Sequence, residues 1–190
     1  MSTCRIAPRI APLPGPYEVE IEEAFQRIMP AGMEPLTLFR TQAHNPRVLK
    51  RVFASNLLDK GSISLRDREL IILRTCAGCG SEYEWGVHVA LFAKRAELDA
   101  ATIVASHANA SAHGQLAERD ALLFKAVDEL HASSNITDAT WAALSGEFSS
   151  AQLVEIIALV GFYHTISFMS NAMRIELEAF APRFSDYASQ

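Results

Sequence analysis

The sequence predicts an all-α fold, and three observations carry that reading. Apolar residues recur at the helical period along nearly the whole chain. Proline, glycine and small polar caps punctuate those runs at helix-length intervals. No pair of alternating segments is joined by a hairpin turn.

Each element follows from local chemistry. Residues 1–17 carry Pro8, Pro12, Pro14 and Pro16 and read as an extended arm, free or laid along a neighbouring subunit. Tyr17–Met29 places Val19, Ile21, Ala24, Phe25 and Ile28 on helical spacing, and Pro30 stops it. Glu34 to Ala43 continues as helix, and Asn45-Pro46 opens another through Leu58. Ser64 is the expected N-cap of a helix that ends at Gly78–Gly80. Ser81 and Glu84 form the S-x-x-E pattern of a capping box for the next helix, which runs to about Arg95. A short helix over Asp99–Ala108 leads into the small-residue run Ser106–Gly114. Ala117–His131 is amphipathic, and Thr137 caps a helix carrying Trp141 and Leu144. Ser149 or Ser150 starts a last long helix so apolar that it must be central. The domain is expected over residues 18–181, with a loose tail at 182–190.

Composition bounds the function. A chain of 190 residues is long enough for one domain with a sizeable core. The net charge of −5, with no Lys/Arg block, argues against a nucleic-acid surface. The longest apolar run, Leu153–Met169, is interrupted by Glu155, Gly161, His164 and Ser167, so no membrane span is expected. Three cysteines without a disulfide framework or an apolar leader point to a reducing cytoplasm. The Pro-rich arm and the apolar last helix predict a homo-oligomer.

The chemistry concentrates in residues 69–88. Projected at 100° per residue, Glu84, Val87, His88, Leu91 and Phe92 share one apolar face. Glu82, Gly86 and Ala93 fall on the opposite, outward face, extended by Glu97. On the preceding helix Glu69 shares a stripe with Leu65, Ile72 and Cys76. Two acids and a histidine therefore aim at a core or a cleft. Glu84 is either a cap, worth about 0.3–1 kcal/mol, or the carboxylate that orients His88 and stabilises its charged form. Glu69 is either the partner of Arg66, Arg68 or Arg74, or a buried acid poised as a proton donor. Cys76 and Cys79 are spaced as C-x-x-C but lie at a helix C-terminus, where the dipole disfavours a thiolate, so they read as core or loop cysteines. A zinc site from Cys76, Cys79 and His88 lacks a fourth ligand, since Cys4 lies in the arm. A metal held by Glu69, Glu84 and His88 is not required by their spacing, and no cofactor or metal is expected. Tyr163 and His164 read as polar tips on an apolar helix.

The stretch Arg68-Glu69-Leu and Gly80-Ser81-Glu82-Tyr83-Glu84-Trp85-Gly86-Val87-His88 resembles the carboxymuconolactone decarboxylase family, which includes the alkyl hydroperoxidase D-like proteins. Met33-Glu34-Pro35-Leu36, Phe39-Arg40 and Leu159-Val160-Gly161-Phe162-Tyr163-His164 extend the likeness over about residues 18–180. The redox branch of that family carries a glutamate, a C-x-x-C starting twelve residues later, and a histidine four residues after the second cysteine. Glu69 and His88 take the glutamate and histidine positions here. Ser81 and Glu84 stand where the two cysteines would be, and Cys76 and Cys79 come five residues too early.

The resemblance implies an all-helical single domain assembled as dimer, trimer or hexamer, with sites near subunit contacts. It selects Glu69, Glu84 and His88 as catalytic residues, with Ser81, Tyr83, Trp85, Tyr163 and His164 around a small-molecule substrate. The expected activity is cofactor-independent acid–base chemistry on a small carboxylated metabolite, by decarboxylation or lactone and proton transfer. The alternative is an alkyl hydroperoxidase D-like thiol peroxidase using Cys76 and Cys79.

Overall fold

The computed structural model describes residues 7–108 and 116–187. Among them run nine α-helices and no strand: α1 Val19–Ile28, α2 Thr37–Gln42, α3 Pro46–Ala54, α4 Leu65–Gly78, α5 Glu82–Phe92, α6 Ala100–His107, α7 Glu118–Ser133, α8 Asp138–Glu147 and α9 Ser150–Met173. A 3-10 turn, Phe184–Tyr187, closes the chain. Cys4 and residues 109–115 of the small-residue run lie outside the described residues.

Helix starts follow the expected caps. Asn45, Ser64, Asp99, Thr137 and Ser149 each accept a backbone N–H from the first turn of the helix that follows. Ser149 and Gln152 complete a reciprocal capping box. α4 is the axis of the domain and packs against α5, α6, α7 and α9. Everything from Asp67 to Cys76 is buried, so this helix has no solvent face in its middle turns. Its charged residues are paired: Arg74 forks onto both oxygens of Asp128, and Asp67 takes both Arg119 guanidinium nitrogens. α9 is long and apolar enough to cross a membrane by length and composition. Its inner face, including Leu153, Ile156, Leu159, Val160, Tyr163 and Ile166, is buried in the bundle.

Two expectations about the chain ends are corrected. Residues 7–17 lie along their own chain, with Arg9 N–H on Met173 O and Leu13 N–H on Arg40 O. Tyr17 then packs edge-on against Phe25 beside a small second core that includes Ile21, Ala24, Ala43 and Leu49. The described part of the tail is not loose. Phe184 and Tyr187 close around the Trp85 ring, and Phe184 N–H donates to Glu82.

Candidate active site

The face of α5 that carries Glu84, Val87, His88, Leu91 and Phe92 lines a cavity of about 340 Å³. The opposite face is covered, against expectation. Gly86 and Ala93 are buried, and a Cβ on Gly86 would sit 2.4 Å from Pro182 O. Glycine is required there because the tail backbone touches the helix directly. Glu82 is half-buried under that tail rather than facing water.

Ser81 does not cap α5 with its side chain, so the expected box with Glu84 is absent. Ser170 Oγ gives its proton to Ser167 O, which leaves the Ser81 hydroxyl to donate to Ser170 Oγ at 2.8 Å. That tertiary bond takes the oxygen a local cap would have used. Glu84 is thereby free of the backbone and turns inward with His88.

His88 is held on both ring nitrogens. Nδ1 is 2.7 Å from Glu69 Oε2, and Nε2 is 3.1 Å from the Tyr163 hydroxyl and 3.4 Å from Glu84 Oε1. Arg68 fixes Glu69 in turn: its Nε lies 2.9 Å and its Nη2 2.8 Å from Glu69 Oε1. Nη1 of the same guanidinium donates to Leu58 O at 2.7 Å. Phe92 lies between, stacked on the His88 ring and facing the Arg68 guanidinium. The order Arg68, Glu69, His88 gives the imidazole one orientation, as an orienting carboxylate does behind a working histidine.

Burial alone would lower the His88 pKa; the Glu69 carboxylate, joined by Glu84, outweighs it and raises it to about 9. His88 is therefore an imidazolium at neutral pH, with Nδ1–H on Glu69 and Nε2–H shared between Tyr163 and Glu84. Burial, reinforced by the Glu84 charge, pushes the Tyr163 phenol well above its ordinary range, so it stays protonated. Glu84 Oε2 is buried and has no protein partner. An acceptor left this way at a cavity wall is costly unless a ligand donor meets it.

The rest of the lining is apolar. Leu36, Leu38, Val52, Phe53 and Phe162 stand opposite α5, with Asn56 and Arg95 as its other polar members. The sequence reading missed Arg95 and Asn56, and named Arg68 only as one of three possible partners for Glu69. Arg95 lies one turn beyond Leu91 on the projected inner face, which is the spacing that could have found it.

The other predicted residues are placed elsewhere. Ser81, Tyr83 and Trp85 do not line the cavity. Tyr83 accepts Leu38 N–H and donates to Glu178, while Trp85 Nε1–H donates to Ser106 Oγ. His164 stands instead beside His131 and Cys79. Cys76 is fully buried and Cys79 half-buried; neither lines the cavity, and burial pushes both thiols up. Glu69 and Glu84 address opposite nitrogens of His88, so the trio does not converge on one point as a metal would need.

Comparison with known proteins bears on this geometry. Residues 46–125, which include Glu69, Glu84 and His88, match the model of the carboxymuconolactone decarboxylase family. The fold is similar to that of an uncharacterized peroxidase-related protein from Silicibacter sp. TM1040, at TM-score 0.79 and 17% identity over 97% of this chain and 100% of that one. It is also similar to the alkylhydroperoxidase AhpD core of an uncharacterized peroxidase-related protein from Ralstonia eutropha JMP134. There the TM-score is 0.76 and the identity 19%, over 90% of this chain and 93% of that one. The debrominase Bmp8 in complex with 2,3,4-tribromopyrrole matches at TM-score 0.70 and 15% identity, over 90% and 92% of the two chains. No curated protein sequence matches. The segment 46–125 is thus similar to the carboxymuconolactone decarboxylase family, and the all-α fold of the whole described chain is similar to that of the alkylhydroperoxidase D-like structures.

Proposed function

We propose that the protein is a cofactor-independent acid–base enzyme in which His88 delivers a proton to carbon. One observation carries this: a buried imidazole, held on both ring nitrogens by Glu69 and Tyr163, that lines an apolar cavity. A carboxylate taken into such a cavity loses its hydration, while the dispersed charge of a decarboxylation transition state tolerates the loss better. The bond from carbon to the carboxylate breaks, carbon dioxide leaves, and the electron pair stays on carbon, delocalised into an adjoining carbonyl. Carbon then takes the Nε2 proton of His88, and the imidazole recovers a proton from water. Glu69 holds the ring throughout, and Arg68 holds Glu69. Arg95 supplies a cation for the substrate's carbonyl or second carboxylate, and the unpartnered Glu84 oxygen accepts a substrate hydroxyl.

The substrate class that fits is a small unsaturated lactone or keto acid, largely apolar apart from its acid groups. The tribromopyrrole complex of the debrominase supports the idea that this scaffold accepts a small planar ring. A thiol peroxidase reading has less support, because neither thiol borders the cavity.

The test offers a panel of unsaturated lactone acids in deuterated water and follows carbon dioxide release and the label in the product. The expected result is one solvent-derived deuterium at the carbon that lost the carboxylate, with turnover lost in His88→Asn. Turnover that survives His88→Asn, or that requires Cys76, overturns the proposal.

A further inference from the structure

Outside the cavity one cluster of side chains has no part in the chemistry above. Cys79 caps the C-terminus of α4, His131 stands in the last turn of α7, and His164 projects from the middle of α9. Cys79 Sγ lies 3.8 Å from His131 Nδ1, and His131 Nδ1 lies 2.9 Å from His164 Nε2. The three donor atoms all fall within 4.8 Å of one another.

The protonation pattern is informative. His164 Nδ1 is 2.8 Å from Val160 O, a carbonyl that can only accept, so Nδ1 carries the hydrogen. The Nε2 lone pair of a neutral His164 then points at His131 Nδ1. Two imidazole nitrogens meeting head-on need a proton or a metal ion between them. A ring N–H on a backbone carbonyl is also the outer-shell bond that fixes the tautomer of a metal-ligating histidine. The backbone behind the thiol is pinned too, since Asn171 Nδ2 donates to Cys79 O at 2.8 Å.

We infer that Cys79, His131 and His164 form a site for a thiophilic divalent transition-metal ion of the zinc class. Tetrahedral zinc bonded at about 2.05 Å to nitrogen and about 2.3 Å to sulfur sets N···N near 3.3 Å and N···S near 3.6 Å. The observed 2.9 and 3.8 Å are a few tenths of an ångström from those values, and Cys79 Sγ and His164 Nε2, which lie within 4.8 Å of each other, would close toward about 3.6 Å by side-chain torsion. Two imidazoles and a thiolate match zinc or cobalt better than calcium or magnesium, which take oxygen donors. His131 is exposed, so the fourth position faces solvent and takes water or an exogenous donor. The site is separate from His88, whose two nitrogens are engaged by Glu69, Tyr163 and Glu84.

Cobalt(II) is the probe. The full chain is stripped with chelator, kept reduced and titrated with cobalt while absorbance is recorded. The expected result is one equivalent bound, with a thiolate-to-cobalt charge-transfer band in the near ultraviolet and the intense visible bands of a tetrahedral ion. Zinc should then bleach both. Cys79→Ser should abolish the charge-transfer band. His164→Gln should weaken binding by more than about 100-fold, beyond the 10–100-fold usual for losing only an outer-shell partner. His88→Asn should leave the titration unchanged. Circular dichroism on each variant separates loss of ligand from loss of fold. Absence of a charge-transfer band in the folded parent chain, its persistence in Cys79→Ser, or a titration altered by His88→Asn overturns the inference.

Discussion

Raising the pH should remove a definite part of the stability, because one buried group changes charge. His88 carries its proton to about pH 9 when folded, against 6.5 for an ordinary histidine. A pKa raised on folding stabilises the protonated side of the titration. That contribution is fully present below about pH 6.5 and disappears as the pH climbs through about 9. The interval corresponds to roughly 3 kcal/mol at 1.36 kcal/mol per unit. The groups facing the ring set the sign: Glu69 from α4 and Glu84 from α5 favour the charge, while the Tyr163 hydroxyl from α9 is neutral. The assay is urea unfolding of the parent and of His88→Gln at pH 6, 7.5 and 9.5. The parent should lose about 3 kcal/mol more across that range than the variant, and subtraction removes other titrating groups. The His88 ring proton followed by NMR should titrate near pH 9. A midpoint at or below 6.5, or parallel pH profiles for the two proteins, would refute the account of the clamp.

Four other outcomes are expected. Glu84→Gln should remove at neutral pH a part of the roughly 3 kcal/mol that charged His88 contributes, since Glu84 helps hold that charge, and lower turnover by about 10²–10⁴-fold; steady-state kinetics beside urea titration checks both. Cys76→Ala should keep its turnover, because Cys76 does not border the cavity, and a dead variant would favour thiol chemistry. Gly86→Ala should cost about 1–3 kcal/mol in a urea titration, because its methyl would meet the Pro182 carbonyl. Val154, Ile157 and Phe168 on α9, with Trp141 on α8, form exposed apolar surface that should drive self-association. Light scattering should give a mass above 20.9 kDa, and a monomer at micromolar concentration would count against it.

The inward trio was legible because it depends on one period. Glu84 and His88 are one turn apart, and any helix through residues 82–92 puts them on a common face. Glu69 was visible as an acid in an apolar stripe, though its partner among three arginines was not, because that choice depends on where the 55–58 segment turns to present Leu58 O. What failed was local inference overridden at long range. The Ser81 box was chemically sound, but Ser170, 89 residues away, bonds the hydroxyl instead. Gly86 and Ala93 looked outward because nothing near them in the sequence announces the tail that covers them. His131 drew no notice since an exposed histidine in a last turn is ordinary, and its meaning lies in two other helices.

That covering tail has a consequence in time. Glu82 and Phe184, joined by a hydrogen bond, are separated by 102 residues. At about 5–20 residues per second, a ribosome takes roughly 5–20 s to pass from one to the other. For that interval α5 exists without the segment that encloses Trp85, and neither Phe184 nor Tyr187 has been made. A nascent chain therefore shows an indole to solvent or to a chaperone while its histidine helix lacks the tail that covers its outer face. The His88 cavity should close late in synthesis, after α9, which supplies Phe162, Tyr163 and Ile166 to its wall, has emerged.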